Sequence, residues 1–340
     1  MIEELRPNLF RVQIPLPKSP LKYLNSYLVR SADRNLIVDT GLNCEECLEA
    51  TMSGLKALDV DLGRTDFFIT HLHADHIGLV GRLATATSKI FFNRPEAELI
   101  EAWAWWEPML VYAEKNGFPE NELQAAIESH PGHKFASNWI PEVSVLGDGD
   151  RMEVGDYRFE CVSTPGHSMG HMCLYEMDRK ILIAGDHILI DITPNIQCWS
   201  DAENPLKDYL SSLDKVGRLD VELTLPGHRR LIADHRERIA ELKAHHRKRL
   251  DEVVSILEQG PQHAFQVASR MTWDLKAKNW DAFPRAQKWF ATSEAIAHLR
   301  YLEDEGVIYR ENEGKVTRFM KNRSKIKVER QKAKGERRKA

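Results

Sequence analysis

One short run in this chain contains four side chains whose types and spacing could do metal chemistry. Thr70-His71-Leu72-His73-Ala74-Asp75-His76 places three imidazoles and one carboxylate within six residues. Neutral imidazole and carboxylate are good ligands for zinc or iron. One ion cannot comfortably bind four groups from so short a segment. We therefore expect His71 and His73 to bind one ion, and Asp75 and His76 to bind a second ion close by.

A buried strand should position this run. Phe67-Phe68-Ile69 directly precedes it and is short, aromatic and β-branched, as buried strands are. His71 and His73 alternate as residues at a strand end do, so both side chains can point the same way. The sequence therefore places the run at the C-terminal edge of a sheet, where α/β folds carry their chemistry.

Three further candidate ligands occur downstream, each after a predicted strand and a small or turn-forming residue. They are His167 in Pro165-Gly166-His167, Asp186 in Ala184-Gly185-Asp186 and His228 in Pro226-Gly227-His228. Four strand-end loops would then converge on one point.

The order of these motifs resembles the metallo-β-lactamase superfamily of binuclear hydrolases, over roughly Leu21 to Leu231. The resemblance includes the early turn Ile37-Val38-Asp39-Thr40-Gly41. It implies an α/β fold, the four-layer αβ/βα sandwich. It also implies two divalent metal ions, with zinc as the first choice and iron or manganese as alternatives.

The same resemblance implies a role for each candidate ligand. The first ion would be held by His71, His73 and His167, and the second by Asp75, His76 and His228. Asp186 would bridge the two ions. A hydroxide shared by the ions would be the nucleophile, and Asp75 would orient it and take a proton, as the catalytic residue.

Three regions are expected along the chain. Residues 1–235 form the predicted catalytic domain, with a helical insertion at about 95–135, because His167 lies 91 positions after His76. Residues 236–320 are predicted to be helices followed by a hairpin, an order that resembles a winged helix. Residues 321–340 hold ten basic and two acidic side chains and are predicted to be a disordered tail.

Periodicity and turn residues predict the individual elements. The predicted strands are 9–14, 27–30, 35–39, 65–70, 89–92, 143–146, 156–164, 171–176, 180–184, 221–225, 307–309 and 316–319. The predicted helices are 43–58 with Asn43 as its N-cap, 77–87, 96–113 with a kink at Pro108, 206–216, 230–259, 265–271 and 285–302.

Several features leave two interpretations open. The tryptophans of the insertion, on the stripes Leu99, Trp103, Trp106, Leu110 and Trp105, Met109, Tyr112, either anchor it or line an apolar pocket. Cys44 and Cys47 are half of a zinc or redox site, or a buried pair of thiols. His171 and His187 orient ligands or are plain strand residues. Arg229 and Arg230 meet an anionic substrate group or are surface charges.

Composition limits the location and the partners. No window of about 18 apolar residues occurs, so no membrane span is expected. The N-terminus is charged and five scattered cysteines suggest a reducing compartment, so a cytoplasmic location is predicted. The last 100 residues carry 23 basic and 14 acidic side chains, and the first 240 carry 24 and 37. The first 240 residues, which include the predicted catalytic domain, are therefore acidic overall and would attract a polyanion poorly.

Three functions remain after these limits. The first is hydrolysis of a small ester-like compound, with a thioester as the first choice. The second is single-stranded RNA cleavage at the same metal site, which the basic tail would assist. The third is a non-enzymatic module that binds a partner. A small-molecule substrate is the expected partner, and nucleic acid and self-association are alternatives. The predicted recognition helix carries Glu294, His298 and Arg300, which do not form the basic stripe that nucleic-acid binding favours.

Overall fold

The computed structural model describes residues 1–101, 106–135, 142–274 and 277–322, and the chain divides into two compact units. Unit one comprises Met1–Trp103, Ser129–Pro194 and Asp208–Leu242. Unit two comprises Ala104–Glu128, Asn195–Lys207 and Lys243–Ala340. The segment 104–128, predicted as part of an insertion in the catalytic domain, thus groups with the C-terminal residues.

A seven-stranded sheet occupies the N-terminal part of unit one. Its strands follow chain order: β1 Ile2–Arg6, β2 Leu9–Pro15, β3 Tyr23–Val29, β4 Asn35–Val38, β5 Thr65–Phe68, β6 Ile90–Asn93 and β7 Ser144–Leu146. The neighbours from β1 to β4 pair antiparallel, and the neighbours from β4 to β7 pair parallel. Parallel pairing brings the carboxyl ends of β4, β5 and β6 to one edge of the sheet.

A five-stranded sheet completes unit one. Its strands are β8 Arg151–Val154, β9 Tyr157–Ser163, β10 Met172–Glu176, β11 Ile181–Gly185 and β12 Leu223–Pro226, in the order β12-β11-β10-β9-β8. One apolar cluster contains Leu9 and Val38 from the first sheet together with Phe159, Leu174 and Ile183 from the second. The two sheets therefore pack face to face through this cluster.

Helices cover the outer faces and build unit two. In chain order they are α1 Glu45–Ala57, α2 Ala74–Ile77, α3 Val80–Leu83, α4 Arg94–Glu101, α5 Trp106–Lys115, α6 Glu120–Ser129, α7 Pro131–Lys134, α8 Pro205–Gly217, α9 His235–Leu257, α10 Ala264–Arg270 and α11 Arg285–Asp304. A second apolar cluster, with Ile14, Leu24 and Leu55 among its members, packs α1 on the first sheet.

Two predicted helix features are wrong. The expected helix 77–87 is the short pair α2 and α3. A Cβ at Gly78 would lie 2.3 Å from the Ala74 carbonyl oxygen and 2.7 Å from the Gly41 carbonyl oxygen, so the backbone here is packed against another loop. The N-cap of α1 is Cys44, in extended backbone, rather than Asn43.

Most other predicted boundaries differ from the structure by one to four residues, and two strands were missed. These are β1, which is rich in charged residues and has no clear apolar alternation, and the short hairpin strand β8, whose alternation extends over only four residues. The predicted kink at Pro108 involves the carbonyl of residue 104, which lies outside the described residues, as do Trp103, Trp105 and the tail beyond residue 322.

Unit two has an aromatic core around Trp289. The indole of Trp289 stacks on that of Trp199 at 4.0 Å between ring centroids and meets the ring of Phe118 edge-on at 5.7 Å. The antiparallel hairpin β13 Ile308–Glu313 and β14 Val316–Lys321 follows α11, so the predicted order of helices and hairpin is present. The winged-helix identity of this unit stays a prediction.

The helix α11 does not expose the side chains expected of a recognition helix. Glu294 and His298 are buried, and His298 Nδ1 donates to the Glu294 carbonyl oxygen at 2.8 Å. Arg300 donates to the Asp201 carbonyl oxygen at 3.1 Å. A helix that reads nucleic acid must present polar side chains to a groove, so the burial of Glu294 and His298 agrees with the lack of a basic stripe in the sequence of this helix.

Asp201 ties three segments of unit two together. Its carboxylate accepts hydrogen bonds from Tyr112 Oη at 3.0 Å and from Lys115 Nζ at 2.8 Å, and it pairs with the guanidinium of Arg310. Burial alone would raise the pKa of Asp201, but Lys115 and Arg310 hold it well below its usual range. The carboxylate therefore stabilises the fold in its charged form.

We expect Asp201→Asn to lower the thermal midpoint at pH 7 by roughly 2–4 °C. Because the pKa of Asp201 is lower in the folded state, its contribution is present above the unfolded pKa of about 4 and is lost as pH falls. The difference between the two proteins should therefore shrink below about pH 4, as followed by circular dichroism. Asp281→Asn, an exposed aspartate of the same unit, is the control. A constant difference from neutral pH down to strongly acidic pH would contradict the assignment.

Candidate metal centre

The candidate ligands all follow strands that end at one edge of the two sheets. The run from His71 to His76 follows β5, His167 follows β9, Asp186 follows β11 and His228 follows β12. The last three are far apart in the sequence, and the sheets bring all of them to the run after β5.

His71, His73 and His167 form one group of potential ligands. His167 Nε2 lies 3.0 Å from His73 Nδ1, and the rings of His71 and His167 lie 4.9 Å apart between centroids. Two nitrogens bound at about 2.0–2.1 Å to one tetrahedral ion are separated by roughly 3.3 Å. The spacing of this group is therefore close to that required by a single ion.

Asp75, His76 and His228 form a second group, and Asp186 lies between the two. His228 Nε2 lies 3.4 Å from Asp75 Oδ2 and 3.5 Å from Asp186 Oδ2. The same Asp186 oxygen lies 3.7 Å from His167 Nε2, while Asp186 Oδ1 lies 3.6 Å from His76 Nε2. One carboxylate thus faces ligands of both groups, as a bridging ligand would.

Buried atoms without hydrogen-bond partners fit the donor set of a metal ion. His71 Nε2, His76 Nε2, His228 Nε2 and Asp186 Oδ1 are buried and have no hydrogen-bond partner. Unsatisfied buried polar atoms are costly, so four of them directed into one space require a compensating group. Imidazole nitrogen and carboxylate oxygen are suitable donors for a divalent cation.

The other ring nitrogens of the histidines are held by the protein. His228 Nδ1 lies 2.9 Å from the Tyr23 carbonyl oxygen, and His76 Nδ1 lies 2.7 Å from Asp39 Oδ2. A carbonyl and a carboxylate can only accept, so both Nδ1 atoms carry hydrogen. In the neutral form of each ring, Nε2 then carries a lone pair that is directed into the cluster. This is the tautomer that metal binding needs.

The electrostatics of the two groups differ. Burial and neighbouring imidazoles lower the pKa of His71 well below its usual range, and burial with His167 lowers the pKa of His73 to about 3. Burial also lowers the pKa of His228, but Asp186 and Asp75 more than compensate and raise it to about 10. The first group therefore keeps its lone pairs, and the carboxylates of the second group favour a positive charge at His228 Nε2, which is either a proton or a bound cation.

Two carboxylates that were not predicted as site residues fix the strand-end loops. Asp39 accepts from the Thr70 backbone N–H at 2.9 Å and from His76, and the Asp-Thr-Gly turn after β4 was its signal in the sequence. Glu96, in the first turn of α4, is fully buried, and no residue spacing in the sequence pointed to it.

A Cβ at Gly227 would lie 2.5 Å from Asp186 Oδ1, so only glycine allows the backbone to lie so close to this carboxylate.

Glu96 connects the loops that carry His73 and His167. Its Oε2 accepts from the Leu72 backbone N–H at 2.7 Å, and its Oε1 accepts from the Gly170 backbone N–H at 3.1 Å. Asn93 Nδ2 donates a further hydrogen bond to Oε2 at 3.1 Å. Glu96 thus acts as a positioning residue through both loops.

We expect Glu96→Gln to reduce metal affinity by roughly 10–100-fold, as loss of a residue that orients ligands does. The glutamine side chain keeps the shape but has one acceptor oxygen, so one backbone N–H loses its partner and faces an amide N–H₂ group. Competition with a chromogenic chelator measures the affinity. Glu98→Gln, an exposed residue on the same helix, should leave it unchanged. Wild-type affinity in a folded Glu96→Gln protein would refute the role.

The remaining candidates have partners inside unit one. His171 Nε2 accepts from the Asp186 backbone N–H at 3.1 Å, so this ring holds the loop of Asp186. The His187 ring packs on Tyr209, at 5.4 Å between centroids. Arg229 donates to the Pro20 carbonyl oxygen at 2.8 Å, and Arg230 pairs with Asp191 at 3.1 Å on the surface.

Comparison with known proteins identifies the family. The model of the metallo-beta-lactamase superfamily matches residues 21–228, and that of the metallo-beta-lactamase-like C-terminal domain matches residues 250–322. The chain therefore belongs to the metallo-beta-lactamase superfamily, and it is a hydrolase of that superfamily. The predicted fold class is confirmed.

Individual relatives cover much of the chain. The probable metallo-hydrolase YqjP of Bacillus subtilis is 24% identical over 86% of this chain and 92% of its own length. The human acyl-coenzyme A thioesterase MBLAC2 is 28% identical over 60% of this chain and 72% of its own. A metallo-beta-lactamase family protein of Thermus thermophilus, known from its crystal structure, is 31% identical, with a TM-score of 0.80 over 94% of this chain and 100% of its own.

Within the described ranges, no helix combines the length and the apolar character needed to cross a bilayer.

Proposed function

We propose that this protein is a binuclear metal-dependent thioesterase, and that an acyl thioester of the coenzyme A type is its substrate. The observation that carries the proposal is the set of buried, unpartnered donor atoms on His71, His76, His228 and Asp186, which face one space. The choice of a thioester is supported by the similarity to MBLAC2, at 28% identity.

The residues of the chain divide the work of this reaction. His71, His73 and His167 would hold one ion, Asp75, His76 and His228 the other, with Asp186 between them. When bound, such a pair supplies Lewis acidity and lowers the pKa of a water toward neutrality. Asp75, whose side chain is 18% exposed, would take a proton from the attacking water. Water adds to the acyl carbon, the C–S bond breaks, and a carboxylic acid and a thiol leave.

An exposed apolar side chain lies close in sequence to one candidate ligand. Met169, two residues after His167, is 45% exposed although it is a large hydrophobic residue. The flexible thioether can adapt to different apolar groups, so Met169 is suited to contact the acyl part of a thioester.

A purified-protein assay over acyl-coenzyme A thioesters of several chain lengths, an aryl ester, a lactone, a phosphodiester and single-stranded RNA tests the proposal. We expect thioester turnover, loss of turnover on chelation, and its return with added zinc, iron or manganese. His73→Ala should abolish it, and His133→Ala, in the short helix α7, should not. RNA cleavage without ester turnover would overturn the thioester assignment, and metal analysis of the same sample identifies the ion.

A further inference from the structure

Cys44 and Cys47 face each other across the first turn of α1. Cys44 is the N-cap residue and is half-buried, and Cys47 lies one turn further on and is fully buried. Their Sγ atoms are 3.3 Å apart. Cys47 Sγ also lies 3.0 Å from the Pro15 carbonyl oxygen, so its thiol donates to that acceptor and is fixed in place.

This arrangement suits a disulfide. A helix places Cα atoms three residues apart at about 5 Å, inside the range of about 4.4–6.8 Å that disulfides span. Only side-chain rotation is then needed to bring the two sulfur atoms to bonding distance. The arrangement does not suit a metal, because the groups of three or more ligand side chains in the described part of the chain do not include either cysteine.

We propose that Cys44 and Cys47 are a redox-active dithiol that forms a reversible disulfide by exchange with a small-molecule disulfide of the glutathione type. The Cys44 thiolate attacks one sulfur of the small disulfide, a mixed disulfide forms, and one small thiol leaves. Cys47 then attacks Cys44 Sγ, its proton is lost to solvent, and the second small thiol leaves. The protein loses two hydrogens, and the small disulfide is reduced to two thiols.

Burial assigns the order of the two cysteines. Cys44 is half-buried and Cys47 is fully buried, so Cys44 is the one that an external disulfide can reach. Burial and the Cys44 sulfur raise the pKa of the Cys47 thiol to about 12, which agrees with its hydrogen bond to the Pro15 carbonyl oxygen, so Cys47 is the second thiol to react. Cys161, Cys173 and Cys198 are buried and should not take part.

The full-length protein is equilibrated in buffers of oxidised and reduced glutathione, the remaining thiols are alkylated, and the peptides are analysed by mass spectrometry without reduction. We expect two of the five thiols to disappear together, a peptide two mass units lighter that contains Cys44 and Cys47, and full reversal by dithiothreitol. This readout does not depend on hydrolysis, so it stands apart from the proposed function.

Two variants separate the roles. Cys47→Ser should stop at a single glutathione adduct on Cys44, because the second thiol is missing. Cys44→Ser should acquire no adduct while folded, because Cys47 is buried. The proposal is overturned if wild-type Cys44 remains a free thiol or a mixed disulfide in every buffer, or if Cys44→Ser reacts as readily as wild type.

Discussion

Asp186→Asn should lose at least half of the bound metal and lower kcat/KM for a thioester by roughly 10³-fold or more, which corresponds to about 4 kcal/mol of lost transition-state stabilisation. The reason is the position of its carboxylate, which faces His76 through Oδ1 and both His167 and His228 through Oδ2. An amide keeps the shape but replaces one anionic oxygen with an N–H₂ group, which cannot bind a cation.

The expected loss also has a charge component. Burial would raise the pKa of Asp186, but His228 and His76 keep it well below its usual range, so this residue is an anion in the folded protein. Metal content by elemental analysis and steady-state kinetics measure the effect. Asp191→Asn, an exposed residue in the following loop, removes the same charge and should retain both metal and activity. A folded Asp186→Asn protein with wild-type metal content would show that this residue is not a ligand.

The sequence was sufficient to find the candidate ligands because metal ligation constrains residue type and spacing together. His71 to His76 lie in one run. His167, Asp186 and His228 each follow a strand, and a glycine directly precedes each of them. All seven lie at one edge of the sheets in the structure. Their roles as ligands remain predictions that the metal analyses above test.

The residues that hold the ligands were harder to predict because they act through backbone groups. Glu96 accepts hydrogen bonds from Leu72 and Gly170, which are distant in sequence and carry no side-chain signal. The false helix 77–87 has a similar cause, since the close approach of Gly78 to the 41–43 loop is a tertiary contact. The periodicity of α11 likewise indicated a helix but not that Glu294 and His298 would be buried.

The second large effect is expected for Asp39, which supports a ligand without facing the cluster itself. Its carboxylate is the hydrogen-bond acceptor for His76 Nδ1 at 2.7 Å, and also for the backbone N–H and the hydroxyl of Thr70. Thr70 Oγ1 lies 3.0 Å from His71 Nδ1. Because the hydroxyl proton goes to Asp39, this oxygen accepts from His71, and one carboxylate sets the tautomer of two candidate ligands.

Asp39→Asn should therefore reduce metal affinity by about 10–100-fold. Its effect on thermal stability should be small by comparison with this loss of metal affinity. Asparagine tolerates the left-handed backbone of this position, at φ 60°, so the substitution changes the charge and the acceptors rather than the fold. Asp59→Asn is the matched control, since Asp59 is exposed and has φ 53°. If the metal affinity of Asp39→Asn equalled that of the control, the orientation of His76 and His71 would have to depend on other groups, and the carboxylate would serve only to join β4 to the loop after β5.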